Sequence, residues 1–501
     1  MIGKAFFNNL ADSANPVFIK EMRQYFQNRR MLVVIGGLLL VEFVLTLFFS
    51  AALSDTDGNG AGSTFFLLIV TGGALLSIVI CAIGAEQRFA EERSDKELNY
   101  AMLTTLKPSS IILGKLEGSL VMTLCILSLL LPFLAAAYFM RGISVASLLI
   151  VLYILPTILL NALLGILAGS FGKRWITVLY FILMANSAFG ILPMGFSLAR
   201  ELMESAAMDP AFWISLGIEY LISALVGTLF FLLAVAVVAP PKSNRLLPVK
   251  VYLFFLPFIT AAILLTVFLI LRRTVPSFVS DFKEVAFVLE CIFSTGAFLV
   301  MLAISLFETP AAGIRVYMKC PRNFPGRLIH FIFSTGFSGS VILSIPILLI
   351  PAAMAPFLRF RGGSLVAFFG FMCILTTVFG TVALALLIAW RTKLPLPAWI
   401  WTIILLVAGT LAPIPFLINE SIDNLPDLAQ VLLMVISPFY SLVEMWEGTG
   451  TPTREGMLFS AVVALVLFFL LCPVFIRAFA LHRRPSGSEA VKPPTPEMLK
   501  K

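Results

Sequence analysis

Charge is what this sequence has least of. Only 12% of its 501 residues are Asp, Glu, Lys or Arg, and 60% are hydrophobic, against roughly 25% and 45–50% in soluble domains. That balance excludes a soluble globular chain. Histidine is nearly absent: His330 opens an apolar run and His482 sits in a basic tail, so no catalytic histidine pair can be built. Of the six cysteines, Cys81, Cys125, Cys291, Cys373 and Cys472 lie in apolar runs and Cys320 in a polar loop. None has metal-ligand spacing, and all are read as small apolar packing residues. A phosphate-binding P-loop is also missing, since it needs Gly, four residues, then Gly-Lys-Ser/Thr to surround phosphates with backbone amides and a lysine. Gly172-Lys173 has Leu167 at the first glycine position and Arg174 after it, and Gly114-Lys115 runs on into Leu116. No cofactor, metal or catalytic residue is expected in this chain. If ATP is used, another polypeptide binds it.

What is present is a series of long apolar runs. A helical span needs about 20 mainly apolar residues, and twelve segments qualify, near 31–53, 64–85, 115–140, 145–171, 175–197, 212–239, 250–271, 286–307, 329–355, 364–390, 397–418 and 456–480. The first is too long for a signal-peptide core and follows a long polar segment, so it reads as a retained span. The fold class expected is all-α, a polytopic helical membrane protein of about 12 transmembrane helices.

Lys and Arg set the orientation, because positive flanks stay on the cytoplasmic side. With both termini cytoplasmic, every basic residue falls inside except Arg141, Arg200, Arg272, Arg273, Lys283, Arg359, Arg361 and Arg454. The net charge of +8 therefore reflects topology, and no nucleic-acid partner is expected. Pro240, Pro241, Lys242, Ser243 and Asn244 open a short basic connector. The expected organisation is an interfacial segment over 1–30, a first six-span half over 31–239 with a cytoplasmic loop at 86–114, and a connector over 240–249. A second six-span half follows over 250–480 with a loop at 308–328, then a disordered Pro-, Ser- and Lys-rich tail over 481–501.

Before the first span, NPVFIKEMRQYFQNRR has helical logic. Asn15 suits the N-cap and Pro16 the first helical position. Phe18, Ile19, Met22, Tyr25 and Phe26 recur on one side, with Lys20, Arg23, Gln24 and Gln27 on the other, which predicts an amphipathic helix on the inner membrane surface. In the loop after the second span, Ser94 with Glu97 forms a capping-box pattern. It predicts a helix from about Asp95, with Leu98, Met102 and Leu106 as its apolar stripe and Lys107-Pro108 as its stop. A further helix then enters the membrane after Ser109 and Ser110, carrying Lys115 and Glu117 near its start. Gly165 and Gly169, beside Ala162 and Ala168, form a small-residue face for close helix packing.

NPVFIKEMRQYFQNRR, then EERSDKELNYAMLTTLKPSSIILGKLEGSL, then LPFLAAAYFMRGIS together resemble the ABC-2 type permease family. Members typically carry an Asn-Pro-apolar, Lys-Glu-x-Arg opening and an E-x-R…L-x-x-L-L-x-[TS]-x-L…I-x-x-G-K loop. Here the match falls on Asn15, Pro16, Lys20, Glu21 and Arg23, then on Glu91, Glu92, Arg93, Leu98, Leu103, Thr105, Ile111, Gly114 and Lys115. The chain departs from the pattern in having Thr105-Leu106 where many members have Thr-Pro, and twelve spans where most have six. ETPAAGIRVYMKCPRNFPGRLIHF occupies the corresponding loop of the second half, and SPFYSLVEMWEG precedes the last span, where the apolar stretch Leu428 to Ile436 is too short to cross.

The resemblance implies a permease subunit in the cytoplasmic membrane, an exporter partnered by a separate ABC-type ATPase subunit and leaving room for accessory subunits. It also implies an ATPase-coupling interface made of Lys20, Glu21, Arg23, Glu91, Glu92, Arg93, Leu98, Met102 and Leu103, with Arg315, Lys319 and Arg322 in the second loop. Closure of the ATPase subunits would push loop helices at 95–106 and 309–327 and tilt the spans they join.

Glu42, Glu219 and Glu290 fall inside apolar runs. Ionisable residues there are costly and are candidates for a polar pathway, or for buried carboxylates bonded to a neighbouring helix. Two other functions fit twelve spans. A secondary transporter of the major facilitator type would carry G-x-x-x-D-R-x-G-R-R after its second span, which is absent here. A membrane enzyme acting on lipid-linked intermediates would need convergent acids, bases or metal ligands, and the carboxylates are scattered.

Overall fold

The computed structural model describes residues 15–27, 29–55, 83–94, 106–139, 150–172, 210–240, 244–274 and 323–333. It also describes isolated positions within 65–80, 176–180, 282–301, 320–321, 342–350 and 476–479. The expected spans at 364–390 and 397–418, nearly all of 456–480, the segment Leu428 to Ile436 and the tail over 481–501 lie outside the described residues.

Among the described residues the secondary structure is helical throughout, with no strand. Three helices are long and apolar enough to cross a membrane: Pro108–Phe139, Leu216–Val238 and Leu247–Arg273. Two shorter apolar helices are Ile35–Ala51 and Leu155–Phe171. The chain is a helical membrane protein. It divides into two compact units, Met1–Pro240 and Pro241–Lys501.

Six helices are described in the first unit: α1 (Pro16–Gln27), α2 (Arg29–Asp55), α3 (Gly84–Ser94), α4 (Pro108–Phe139), α5 (Ile150–Phe171) and α6 (Pro210–Val238). Asn15 caps α1, its Oδ1 accepting from the Val17 amide at 3.1 Å, and Pro16 follows where its missing N–H costs nothing. Pro108 opens α4 in the same way, with the Lys107 carbonyl accepting from the Ser110 and Ile111 amides. Gly172 ends α5 at φ 59°, a left-handed conformation that glycine adopts without the Cβ penalty.

Helix α4 is the central element, packing against α1, α2, α5 and α6, while α5 packs against α3 and α6. With 32 residues it is about 48 Å long, well beyond a hydrocarbon core of about 30 Å. The helix is thus longer than the apolar layer is thick, and its first turns carry Gly114, Lys115 and Gly118. One cluster of buried side chains joins Tyr25 of α1 and Leu38 of α2 to Met122, Ile126 and Leu130 of α4. A second joins Ala85 and Phe89 of α3 to Ile112, Ile166, Ala234 and Val238. On α2 the outward side chains are apolar, with Val33, Leu40, Val44 and Phe48 all exposed, as suits a lipid-facing surface.

The structure differs from the sequence expectation after the second span. Ser94 is itself helical, in α3 (Gly84–Ser94), where the sequence read it as a cap, and the helix expected from about Asp95 falls on 95–105, which lie outside the described residues. Gly84–Ser94 carries acidic Glu86 in its first turn and Arg93 in its last, which favours the helix through its dipole. The capping-box pattern could not register this, because it sees only Ser94 and Glu97. The stripe residues Leu98 and Met102 lie outside the described residues, while Leu106 and Lys107 are non-helical.

In the second unit, α7 (Leu247–Thr274) and α8 (Phe324–Phe333) pack together. Asn244 Nδ2 donates to the Phe333 carbonyl at 3.3 Å, and Phe254 and Phe333 meet edge to face.

Candidate functional site

The first turns of α4, the whole of α1 and the end of α3 converge on one group of charged side chains. Glycine makes the convergence possible. A Cβ at Gly114 would stand 2.8 Å from Val17 Cβ and 2.9 Å from the Phe18 backbone nitrogen, and one at Gly118 would stand 3.1 Å from Glu21 Cβ. The two glycines four apart form a notch on one face of α4, and α1 lies in it. Asn15 Nδ2 fixes the entry by donating to the Ser110 carbonyl at 2.6 Å.

Laid in that notch, α1 turns Glu21 and Tyr25 inward, leaving them 4% and 3% exposed. Lys115 Nζ meets Glu21 Oε1 at 2.5 Å and Glu92 Oε2 at 2.8 Å. Lys20 Nζ meets the other oxygen of Glu92 at 2.7 Å, and Arg88 approaches Glu21 Oε2 at 3.7 Å. The Arg88 guanidinium also lies 3.3 Å from the centre of the Tyr25 ring, and Lys115 lies 4.8 Å from that of Phe89. Two carboxylates and three cations from three helices thus meet in one group, largely out of water except for the exposed Lys20. A buried group of this kind is favourable only when complete, because each ion has lost its hydration.

Burial alone would raise the Glu92 carboxyl, but attraction to Lys115 and hydrogen bonds from Lys115 and Lys20 outweigh it. They hold Glu92 below its ordinary value of 4.5.

Beside this group, Arg93 Nη1 donates to the Ser170 carbonyl at the end of α5. A cation at a helix C-terminus satisfies an orphan carbonyl and complements the dipole. Glycine serves again at this seam, since a Cβ at Gly169 would stand 2.6 Å from the Glu86 carbonyl. The Glu86 side chain accepts from Thr177 at 2.6 Å.

Of the expected coupling residues, Lys20, Glu21, Glu92 and Arg93 are therefore engaged inside the first unit, while Arg23 and Glu91 are exposed. Leu98, Met102, Leu103, Arg315, Lys319 and Arg322 lie outside the described residues. The amphipathic reading of α1 is modified as well. Phe26, placed on its apolar side, is 56% exposed, and Glu21 is buried. Arg88 and Tyr25 belong to the group without having been singled out as site residues. The available signal was Lys115, a lone cation at the head of an apolar run.

The intramembrane acids sit apart. Glu42 is buried on the inward side of α2, with no hydrogen-bond partner for its Oε2 among the described residues. Glu219 Oε1 accepts from Thr157 at 3.2 Å. Glu290, in the second unit, is within hydrogen-bonding distance of Thr260 and Ser294. Among the described residues no three His, Cys, Asp or Glu side chains come together to hold a metal ion.

Compared with family models, with curated proteins and with solved structures, the chain matches none. Its function is therefore argued from its own residues.

Proposed function

We propose that this chain is the membrane-spanning subunit of an ABC-2 type transporter, an exporter in the cytoplasmic membrane driven by separate ATPase subunits. In this reading it has twelve spans in two six-span halves, with both termini inside, and ATP hydrolysis takes place entirely on the partner.

One observation supports the reading above the others. The residues that carry the family resemblance come from separate stretches, and members of two of them meet in a single charge group: Lys20 and Glu21 from the first, Glu92 and Lys115 from the second. A transporter driven from outside the membrane needs stiff elements at the cytoplasmic ends of its spans. Here α1 packs on α4 and α3 is tied to it through Lys115 and Glu92, and α4 is a helix long enough to project beyond the apolar layer. A push on α1, or on the chain beyond Ser94, would be passed to α4 as a rigid displacement. In this division of labour Glu21, Lys115 and Glu92 transmit force, and Arg23 and Glu91, both exposed, lie on the surface that would meet the partner.

The test is co-purification with a P-loop ATPase encoded beside this chain. Reversing Arg23 and Glu91 together (Arg23→Glu, Glu91→Lys) is expected to weaken recovery of the ATPase several-fold, while the protein still inserts and unfolds at its usual temperature. Each exposed contact contributes only about 0–1 kcal/mol, so the double change is needed. Export that persists without any ATPase partner would overturn the proposal.

A further inference from the structure

In the second unit, Glu290 is wholly buried, with Thr260 and Ser294 at 3% and 0% exposure beside it. Thr260 Oγ1 stands 2.7 Å from Glu290 Oε2 and 3.0 Å from the Pro257 carbonyl, and Ser294 Oγ stands 3.1 Å from Glu290 Oε1. Pro257 lies inside α7.

Counting hydrogens shows which protonation state lets every short contact be a hydrogen bond. A threonine hydroxyl carries one hydrogen and can donate it once, although its oxygen can also accept. A backbone carbonyl only accepts. If Thr260 donates to Pro257, its contact with Glu290 is a hydrogen bond only when Glu290 Oε2 brings the hydrogen. The carboxyl then donates to Thr260, Thr260 donates to the Pro257 carbonyl, and Ser294 donates to Oε1, so that every short contact is made. If Glu290 were ionised, Thr260 could serve only one of its two neighbours fully.

Charge leads to the same assignment. An ionised carboxylate away from water is tolerated when a cation pairs with it. On α7, Lys250 lies ten positions before Thr260, about 15 Å along the helix, and Arg272 and Arg273 lie about 18 Å or more beyond it. Lys283 comes seven positions before Glu290, about 10 Å away by helical rise, and its ammonium rests 5.8 Å from the centre of the Phe268 ring. Glu290 is offered two hydroxyls and no neighbouring cation from these elements.

We propose that Glu290 is a proton-binding site, held as a neutral carboxylic acid that heads the hydrogen-bonded chain Glu290, Thr260, Pro257. Its ligand is a proton, and Thr260 is the residue that holds the acid form. Release of that proton would place an uncompensated charge between helices, so the loaded and unloaded states cannot pack alike. This holds whether or not an ATPase drives the chain.

The test is infrared difference spectroscopy of the full chain in detergent at neutral pH, comparing wild type with Glu290→Gln. The amide supplies an N–H donor for the acid's O–H and keeps the C=O acceptor, adding one further N–H, so the variant is expected to fold. The difference spectrum should contain a single carboxylic-acid C=O band, moving to lower frequency in heavy water. Thr260→Val, which removes the acceptor of that proton but keeps the carboxyl, should shift the same band upward, and it serves as the comparison if Glu290→Gln does not fold. A pair of carboxylate bands in place of the acid band, or an acid band that Thr260→Val leaves unmoved, would overturn the assignment. Carboxylate bands that respond to sodium would overturn it in favour of a metal cation.

Discussion

Lys115 and Glu21 are ninety-four positions apart in the chain, yet their side chains meet at 2.5 Å, each about 5% exposed. The same ammonium also neutralises Glu92 at 2.8 Å. Three helices that share no local sequence signal are fastened through this one cation.

Because Lys115 serves two carboxylates, its loss should cost more than the loss of either. Breaking a buried pair by removing one partner costs about 3–5 kcal/mol. Lys115→Met is expected at the upper end, since it leaves Glu21 with only the longer Arg88 contact. Glu21→Gln leaves Lys115 paired with Glu92 and should cost less. Unfolding midpoints of the purified protein in detergent compare the two, and equal losses would mean that Glu92 does not share the charge.

The notch on α4 makes a second prediction. At Gly114 an added methyl meets the Phe18 backbone nitrogen, which cannot rotate aside, so Gly114→Ala should force α1 off the helix at about 1–3 kcal/mol. At Gly118 the nearest atom is Glu21 Cβ at 3.1 Å, and a shift of a few tenths of an ångström relieves it. Gly118→Ala should therefore be the milder change. Protease sensitivity of the segment before Arg29 would report the difference, and the reverse order would place α1 elsewhere.

Acid should loosen the same contact. Glu92 is held below 4.5 in the folded chain, so the unfolded chain takes up its proton first as pH falls. The stability this supplies is fully present above the ordinary carboxylate value and is lost as pH drops through the lowered one. Glu92→Gln should lower the midpoint at neutral pH and flatten its fall on acidification. A profile as steep as that of wild type would assign the acid sensitivity to other groups.

Topology is open to a direct check. With twelve spans and both ends inside, reporters fused after Leu499 and within 242–249 should read cytoplasmic, and one inserted near Gly58 external. An external C-terminus would make the number of spans odd and end the two-half arrangement.

How much of this was legible in the sequence varies from element to element. Helix α4 was, since an uninterrupted apolar run has one solution in a membrane, where every backbone group must be satisfied within its own segment. Asn15 and Pro16 were legible for a similar reason: an N-cap and a first-turn proline act within a few residues. The helical state of Ser94 was not. Ser94 and Glu97 satisfy a local rule, but α3 runs through Ser94 while Phe89 is buried among α4, α5 and α6 residues and Arg93 reaches the end of α5. Glu21 was illegible for a further reason, because periodicity sorts residues by polarity and would set any lone carboxylate on the wet side.

The sequence by itself determined the membrane character, the helical class and the first residues of α1, because each follows from hydrophobicity or from backbone chemistry over a few positions, whereas Pro108, read as a helix stop, opens α4. Only the tertiary structure decided that Glu21, Glu92 and Lys115 form one largely buried group, with the exposed Lys20 at its edge, and that Glu290 meets Thr260. Burying charge is favourable or ruinous according to what lies within about 4 Å of it, and those neighbours arrive from distant parts of the chain.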